Sequence, residues 1–509
     1  MKTYFEKKDK IGRIRKETAE LKETIIPKRS SRPAGPLIVD PKSREFKRIS
    51  FAVISSERVC WSAIWKKSEC GGGKMAETKS QYLEVAPQKD LSENVGKMGL
   101  VILGLQHAFT MFGATVLVPY LTGIPVNVAL FTAGIGTLLF HIITRGKVPV
   151  FLGSSFAYIA PVIAVTLHYL QSEHPEINTI QDAIQQGVDI LPYLAFATGG
   201  LVLAGFVKTG FGILIKFIGI KRFEILFPPA VSGTMIVLIG LILSPVAINM
   251  ASQDWTLALI SLSVALIVRL YFKGYNRLIP VIWGIIAGYV VALLSGKVDF
   301  SSVTTASWVG VPRFYLPKFS AYAASVIVPV AVAPAIEHFG DIFAVSAVVG
   351  KKFYEDPGIH RTLIGDGIAT SVAGILGGPA NTTYSENTGV LALTKVFNPI
   401  VMRIAAIFAI ILAFIPKVGS FVRSIPVPVM GGIMILLFGM IASVGMKTLI
   451  MNRVKVDGRN LVVISVMLVL GLGGTKWKIG NVSLEGLGLA AVVGIVLNAI
   501  FTLTKASEE

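Results

Sequence analysis

Cysteine is nearly absent: this chain has two, Cys60 and Cys70, and none after position 70. A disulfide framework is thereby excluded for everything that follows, and no His/Cys/carboxylate cluster has zinc-ligand spacing, so neither a metal nor another cofactor is expected. Charge is scarce too, at 15% of residues, against roughly a quarter in soluble domains. No signal-peptide pattern precedes the first long apolar run. Basic patches with interleaved aromatics, which a nucleic-acid reader needs, are missing from the main body of the chain. No activated nucleophile accompanies the carboxylates described below, which argues against an enzyme.

What the chain has instead is apolar length. Of its 509 residues 53% are apolar, and the mean hydropathy is +0.68. Runs of about 17 to 25 residues, each able to cross a bilayer, recur between Met98 and Thr504. The expectation is an all-α polytopic membrane protein with fourteen segments, beginning near residues 98, 126, 150, 191, 223, 255, 279, 321, 362, 382, 400, 426, 460 and 484.

The net charge of +18 divides unevenly. Residues 1–74 hold 19 Lys+Arg against 9 Asp+Glu and form a basic tail. Within it Gly71-Gly72-Gly73-Lys74 precedes Met75. Such codons can spell a purine-rich ribosome-binding site, so synthesis is expected to begin at Met75, the alternative being a disordered cytoplasmic tail. The remaining excess follows the positive-inside bias. Arg145 and Lys147, then Lys208, Lys216, Lys221 and Arg222, then Arg269, Lys273 and Arg277, and later basic groups through Arg459 fall on alternate connections. This places both termini in the cytoplasm.

Two segments are broken by Gly and Pro: residues 149–156 (PVFLGSSF) and 377–394 (GGPANTTYSENTGVLALT). Non-helical backbone at membrane depth must be buried in protein or line a cavity, so segments 3 and 10 are expected to face each other, each an extended piece followed by a half-helix. Half-helix N-termini present free N–H groups to ligand oxygens. Glu386 lies in the second broken segment, where an acid costs roughly 2.5 to 3.5 kcal/mol unless it meets water, a partner or a ligand. Glu337 and Asp341 lie four apart on one face of an apolar helix that offers no Lys or Arg to pair with them. They are read as functional rather than snorkelling. A carboxylate in low dielectric favours its neutral form and can carry a proton.

His338, beside Glu337, is read as hydrogen-bonding behind the site, and His107 as a satisfied internal histidine. Ser154, Ser155, Tyr158 and Tyr384 either contact ligand or repair broken backbone. Gln106 and Asn387 are expected to tie two halves together. Gln106-His107 matches Glu337-His338 at an offset of 231, and Ser155 matches Ser385 at 230. This agreement argues for two seven-segment repeats, the second inverted, which is transporter architecture. Amides and carboxylates in one site suit a small planar molecule with alternating N–H and C=O groups, such as uracil.

The run Glu386-Asn387-Thr388-Gly389, continuing to Thr394-Lys395, resembles the signature of the nucleobase/ascorbate transporter family. Thr383-Tyr384-Ser385-Glu386-Asn387, Gly153-Ser154-Ser155-Phe156-Ala157 and Ala335 to Asp341 look like bacterial or archaeal uracil permeases of that family, and the resemblance runs from about Leu91 to the C-terminus. It implies a core domain (98–210, segments 1–4, and 301–416, segments 8–11) and a gate domain (211–300, segments 5–7, and 417–504, segments 12–14). Residues 75–97 and 505–509 would be cytoplasmic. It further implies that Glu337 and Glu386 accept pyrimidine N–H groups, that the amides of Phe156 and Ser385 donate to carbonyls, and that a homodimer is plausible.

Some positions depart from the pattern. Asp341 stands where some uracil carriers have histidine, Ser385 where glycine is common, and Met434 and Phe438 where some relatives have more polar gate residues. The expected activity is proton-coupled uracil import across the cytoplasmic membrane, with Glu337, Asp341 and His338 as coupling candidates and Tyr384 beside the substrate. The alternative is a xanthine or other purine carrier. An anion exchanger or channel on a related fold is disfavoured, because an anion would meet the site's carboxylates.

Overall fold

The computed structural model describes residues 88–504 except 221, 224–226, 457, 480 and 481, all within one compact unit, Leu83–Glu509. The basic tail, the Met75 start and residues 505–509 lie outside the described residues.

The described residues begin with a 3-10 turn (Ser92–Asn94) and three helices, α1 (Lys97–Thr122), α2 (Val126–Ile143) and α3 (Ile159–Glu173), with strand β1 (Leu152–Ser154) and a 3-10 turn (Phe156–Tyr158) leading into α3. A short α4 (Ile180–Gln185) precedes α5 (Leu191–Ile218), α6 (Pro229–Ser252), α7 (Trp255–Tyr271) and α8 (Pro280–Leu294). After α9 (Ser301–Thr305), α10 (Ala321–Ile327) continues through a 3-10 turn into α11 (Val332–Val349), followed by α12 (Ile359–Ile375). Strand β2 (Asn381–Thr383) leads into α13 (Ser385–Thr394), then α14 (Ile400–Ala413), α15 (Pro416–Arg423), α16 (Val427–Met451) and α17 (Gly458–Leu472). A hairpin, β3 (Lys476–Ile479) with β4 (Val482–Glu485), precedes α18 (Gly486–Leu503).

Among the described residues, polar side chains cap the starts of α4, α7 and α10. The Asp254 carboxylate accepts from the amides of Thr256 and Leu257 at the head of α7, at 3.0 and 3.3 Å. Lys297 closes on the same carboxylate at 2.5 Å, and that hydrogen bond holds Asp254 below the usual carboxylate range.

The outer surface is apolar. Ile142, Phe217, Leu294 and Leu503 all stand exposed, as side chains do when lipid rather than water surrounds them. Among the described residues, seven helices are long and apolar enough to cross a membrane. An eighth span is counted if α14 and α15, bent by 82°, act as one. The chain is a multi-pass membrane protein. Three of the remaining apolar helices, α7, α8 and α17, have 17, 15 and 15 residues, two of them shorter than the run lengths expected from sequence.

The fold is mostly helical as expected, and the described residues add two small antiparallel sheets, β1 with β2 in the broken segments and β3 with β4, the latter not expected. The first arises because the Gly- and Pro-bearing stretches free backbone groups that find each other across the molecule. The boundary drawn at residue 210 falls inside α5, which runs on to Ile218.

Candidate substrate-binding site

Strands β1 and β2 cross in register Leu152↔Thr383, Gly153↔Thr382 and Ser154↔Asn381. The amide of Ser155 adds a bond to the Ala380 carbonyl at 2.8 Å, and that of Tyr384 one to Phe151 at 3.1 Å. Each strand then feeds a helical turn whose first N–H groups have no intrahelical acceptor. The two half-helices therefore begin from one shared, fully buried crossing.

Gly153 is required there by close approach. A Cβ at that position would lie 2.4 Å from Cζ of Tyr384. The Tyr384 hydroxyl donates to the Ser154 carbonyl at 2.9 Å, so it braces β1.

Exposure changes abruptly where β2 ends. Residues 379–384 are buried, Ser385 and Glu386 are exposed, and Asn387 is buried again. On α11 Glu337 is half-buried and Gly340 exposed, and Phe156, just after β1, is half-buried. Glu337, Asp341 and Glu386 share one electrostatic neighbourhood. The result is an acidic opening at the start of α13.

Asp341 is held from two sides. Thr383 Oγ1 donates to its Oδ2 at 2.6 Å and Ser385 Oγ to its Oδ1 at 2.9 Å. One carboxylate of α11 thus grips both sides of the junction between β2 and α13.

The other candidates sit around this opening in different ways. His338 is buried behind Glu337, with Nε2 at 2.9 Å from Thr362 Oγ1. Asn387 donates from Nδ2 to Nδ1 and to the backbone carbonyl of His107, at 3.1 and 3.2 Å, tying α13 to α1. Gln106 is not part of that tie. Its carbonyl accepts from the Tyr275 hydroxyl at 2.9 Å, and the residue borders a separate, apolar cavity of about 340 Å³ with Phe109 and Ile282. Ser155 is buried and its hydroxyl has no hydrogen-bond partner. Met434 and Phe438 are buried in α16.

Sequence reasoning missed Lys208, Asp366 and Asn381. Lys208 was counted among cytoplasmic loop charges, but it is fully buried inside α5, with Nζ 2.5 Å from Oδ2 of an equally buried Asp366 on α12. Asp366 carried a readable signal, being an acid between Gly365 and Gly367 in an apolar helix. Among the described residues, no group of three or more His, Cys, Asp or Glu forms a candidate metal site.

This arrangement has relatives. The Xan_ur_permease sequence model, described as "Permease family", matches residues 98–480. The chain belongs to the nucleobase/ascorbate transporter family. A "Probable uracil permease" of Haemophilus influenzae is 44% identical over 429 residues, covering 82% of this chain and 98% of that protein. A "Uracil permease" of Bacillus caldolyticus is 42% identical over 418 residues, covering 79% and 91%. A solved structure of SLC26A9 superposes with a TM-score of 0.58 at 12% identity, covering 80% of this chain and 65% of that one. At such identity the likeness is one of fold alone.

Proposed function

We propose that this permease imports uracil across the cytoplasmic membrane by proton symport and alternating access. The observation that carries the reading is the acidic opening at the strand crossing, where Glu386 and Ser385 emerge from an otherwise buried run in the electrostatic neighbourhood of Glu337 and Asp341. Carboxylate oxygens accept, and half-helix amides donate. In this reading Glu337 and Glu386 receive the two pyrimidine N–H groups, while the amides of Phe156 and Ser385 donate to the carbonyls. The names carried by the relatives support uracil over other planar molecules.

The coupling step follows from Asp341. As a carboxylate it accepts from both Thr383 and Ser385. Protonation turns one of its oxygens into a donor and removes the charge that strengthens both bonds, so the grip on the two hydroxyls weakens. A proton arriving at Asp341 therefore alters how the β2–α13 junction is held, beside the residues that receive the substrate. His338 supports Glu337 from behind.

For movement we infer fourteen segments in two inverted repeats, with segments 1–4 and 8–11 as core and 5–7 and 12–14 as gate. Packing supports this, because its pairs exchange when each segment is advanced by seven. α2 lies on α14 and α5 on α12, while α7 pairs with α8 and α17 with α18. The pairs β1 with β2 and α6 with α16 map onto themselves. Both termini are cytoplasmic in this scheme, and a homodimer is compatible with it. Uptake of labelled uracil, competed by thymine, xanthine, hypoxanthine and ascorbate, tests the substrate. Uracil as the strongest competitor is expected, and stronger competition by xanthine would reassign the site to purines.

A further inference from the structure

Helices α5 and α12 approach backbone to backbone. A Cβ on Gly205 would lie 2.7 Å from the Gly367 carbonyl, and one on Gly367 would lie 2.5 Å from the amide of Thr209. Small residues at such a contact bring the flanking side chains into direct range, and here they bring Lys208 to Asp366. Both side chains are 0% exposed.

The pair does not end with itself. Lys208 Nζ also donates to the Asn381 carbonyl at 3.1 Å, and Thr370 Oγ1 donates to the same carbonyl at 2.8 Å. The side-chain amide of Asn381 donates to the Thr132 carbonyl on α2 at 3.0 Å. The first residue of β2 is thus fixed to α5, α12 and α2. Two residues later Thr383 grips Asp341, and Ser385 and Glu386 follow directly. On its other side Asp366 stands 3.9 Å from Nδ1 of His338, the neighbour of Glu337.

As a stabilising device the pair is poor. Replacing a buried ion pair with well-packed apolar groups of similar volume is often neutral or stabilising, because desolvation offsets the Coulombic gain. Here Asp366 Oδ1 and His338 Nδ1 are also left without hydrogen-bond partners. What the pair supplies is a fixed donor aimed at one strand carbonyl.

We propose that Lys208 and Asp366 are positioning residues for the uracil site: the ammonium, aligned by Asp366, clamps the Asn381 carbonyl and so sets where Ser385 and Glu386 stand. The proposal rests on the uracil reading above. A displacement of about 1 Å in a site that depends on aligned hydrogen bonds is enough for a large loss, on the order of a hundredfold.

The test is Lys208→Met with Asp366→Asn, a double substitution that keeps side-chain volume and net charge while removing the clamp. Thermal midpoint and uracil Kd are measured on the full chain in detergent. The expected result is a folded protein whose midpoint falls far less than that of Lys208→Met alone, with Kd weakened about tenfold or more. Thr370→Val, which leaves both charges in place and removes both the second donor to Asn381 and the hydroxyl that Lys208 Nζ reaches at 3.3 Å, is expected to fold and to weaken Kd a few-fold. It decides the matter if the double variant does not fold. Wild-type Kd in either folded variant, or a fall in midpoint that accounts for the loss of binding, overturns the proposal. No uracil binding by the wild type would instead overturn the substrate reading.

Discussion

Lys147 reaches Asp356 and Lys208 reaches Asp366 over the same 2.5 Å, yet the first pair is 40% and 72% exposed and the second 0% and 0%. At the surface the attraction acts through water, and such pairs contribute about 0 to 1 kcal/mol. In the interior each charge has lost its hydration, so the pair gives little net stability but neither partner can be removed alone. Distance alone therefore says nothing about role. Surroundings do: one pair ties two surface loops, and the other joins α5, α12 and β2 behind the acidic opening.

The sharpest way to break the comparison is to remove one charge from each pair. Lys208→Met strands a buried carboxylate and is expected to cost about 3–5 kcal/mol, read as a marked fall in thermal midpoint. An unchanged midpoint would mean that the interior pair behaves like the surface one. Glu386→Gln probes an acid that is central but exposed. It exchanges an acceptor for a donor opposite a substrate N–H, with an expected loss of about 1.5–3 kcal/mol, or roughly 10-fold to 150-fold in uracil affinity, and no loss of stability. Wild-type affinity in the folded variant would remove Glu386 from the site.

Gly153→Ala puts a methyl against the Tyr384 ring and is expected to destabilise by about 1–3 kcal/mol through forced repacking, again read from the midpoint. The smallest effect belongs to Lys147→Ala. It is expected to change stability by less than about 1 kcal/mol and to leave uracil uptake unaltered.

The sequence made the acids legible because membrane depth makes every acid conspicuous: Glu337, Asp341 and Glu386 stood out against apolar neighbours. The Gly- and Pro-bearing segments were legible for the same reason, since lipid leaves freed backbone groups without partners. Lys208 was not, because a lysine near the end of a long apolar run looks like an interfacial anchor until the neighbouring helix is known. Its partner Asp366 lies 158 positions away, and only the close packing of α5 on α12 joins them. Asn381 carries no distinguishing signal within its broken segment, and its role appears only in its three-helix anchorage. The hairpin β3–β4 was hidden by weak, short patterns of alternation.

The central claim is proton-driven uracil accumulation through Asp341, and it is tested most directly in vesicles with imposed gradients. Uracil is uncharged near neutral pH, so uptake against its own gradient needs a coupled ion. With an inward proton gradient, labelled uracil should accumulate, the accumulation should collapse with a protonophore, and replacing sodium should change nothing. Asp341→Asn should still exchange uracil across the membrane but fail to concentrate it. Sodium-dependent accumulation that survives the protonophore, or concentrative uptake by Asp341→Asn, would contradict the account.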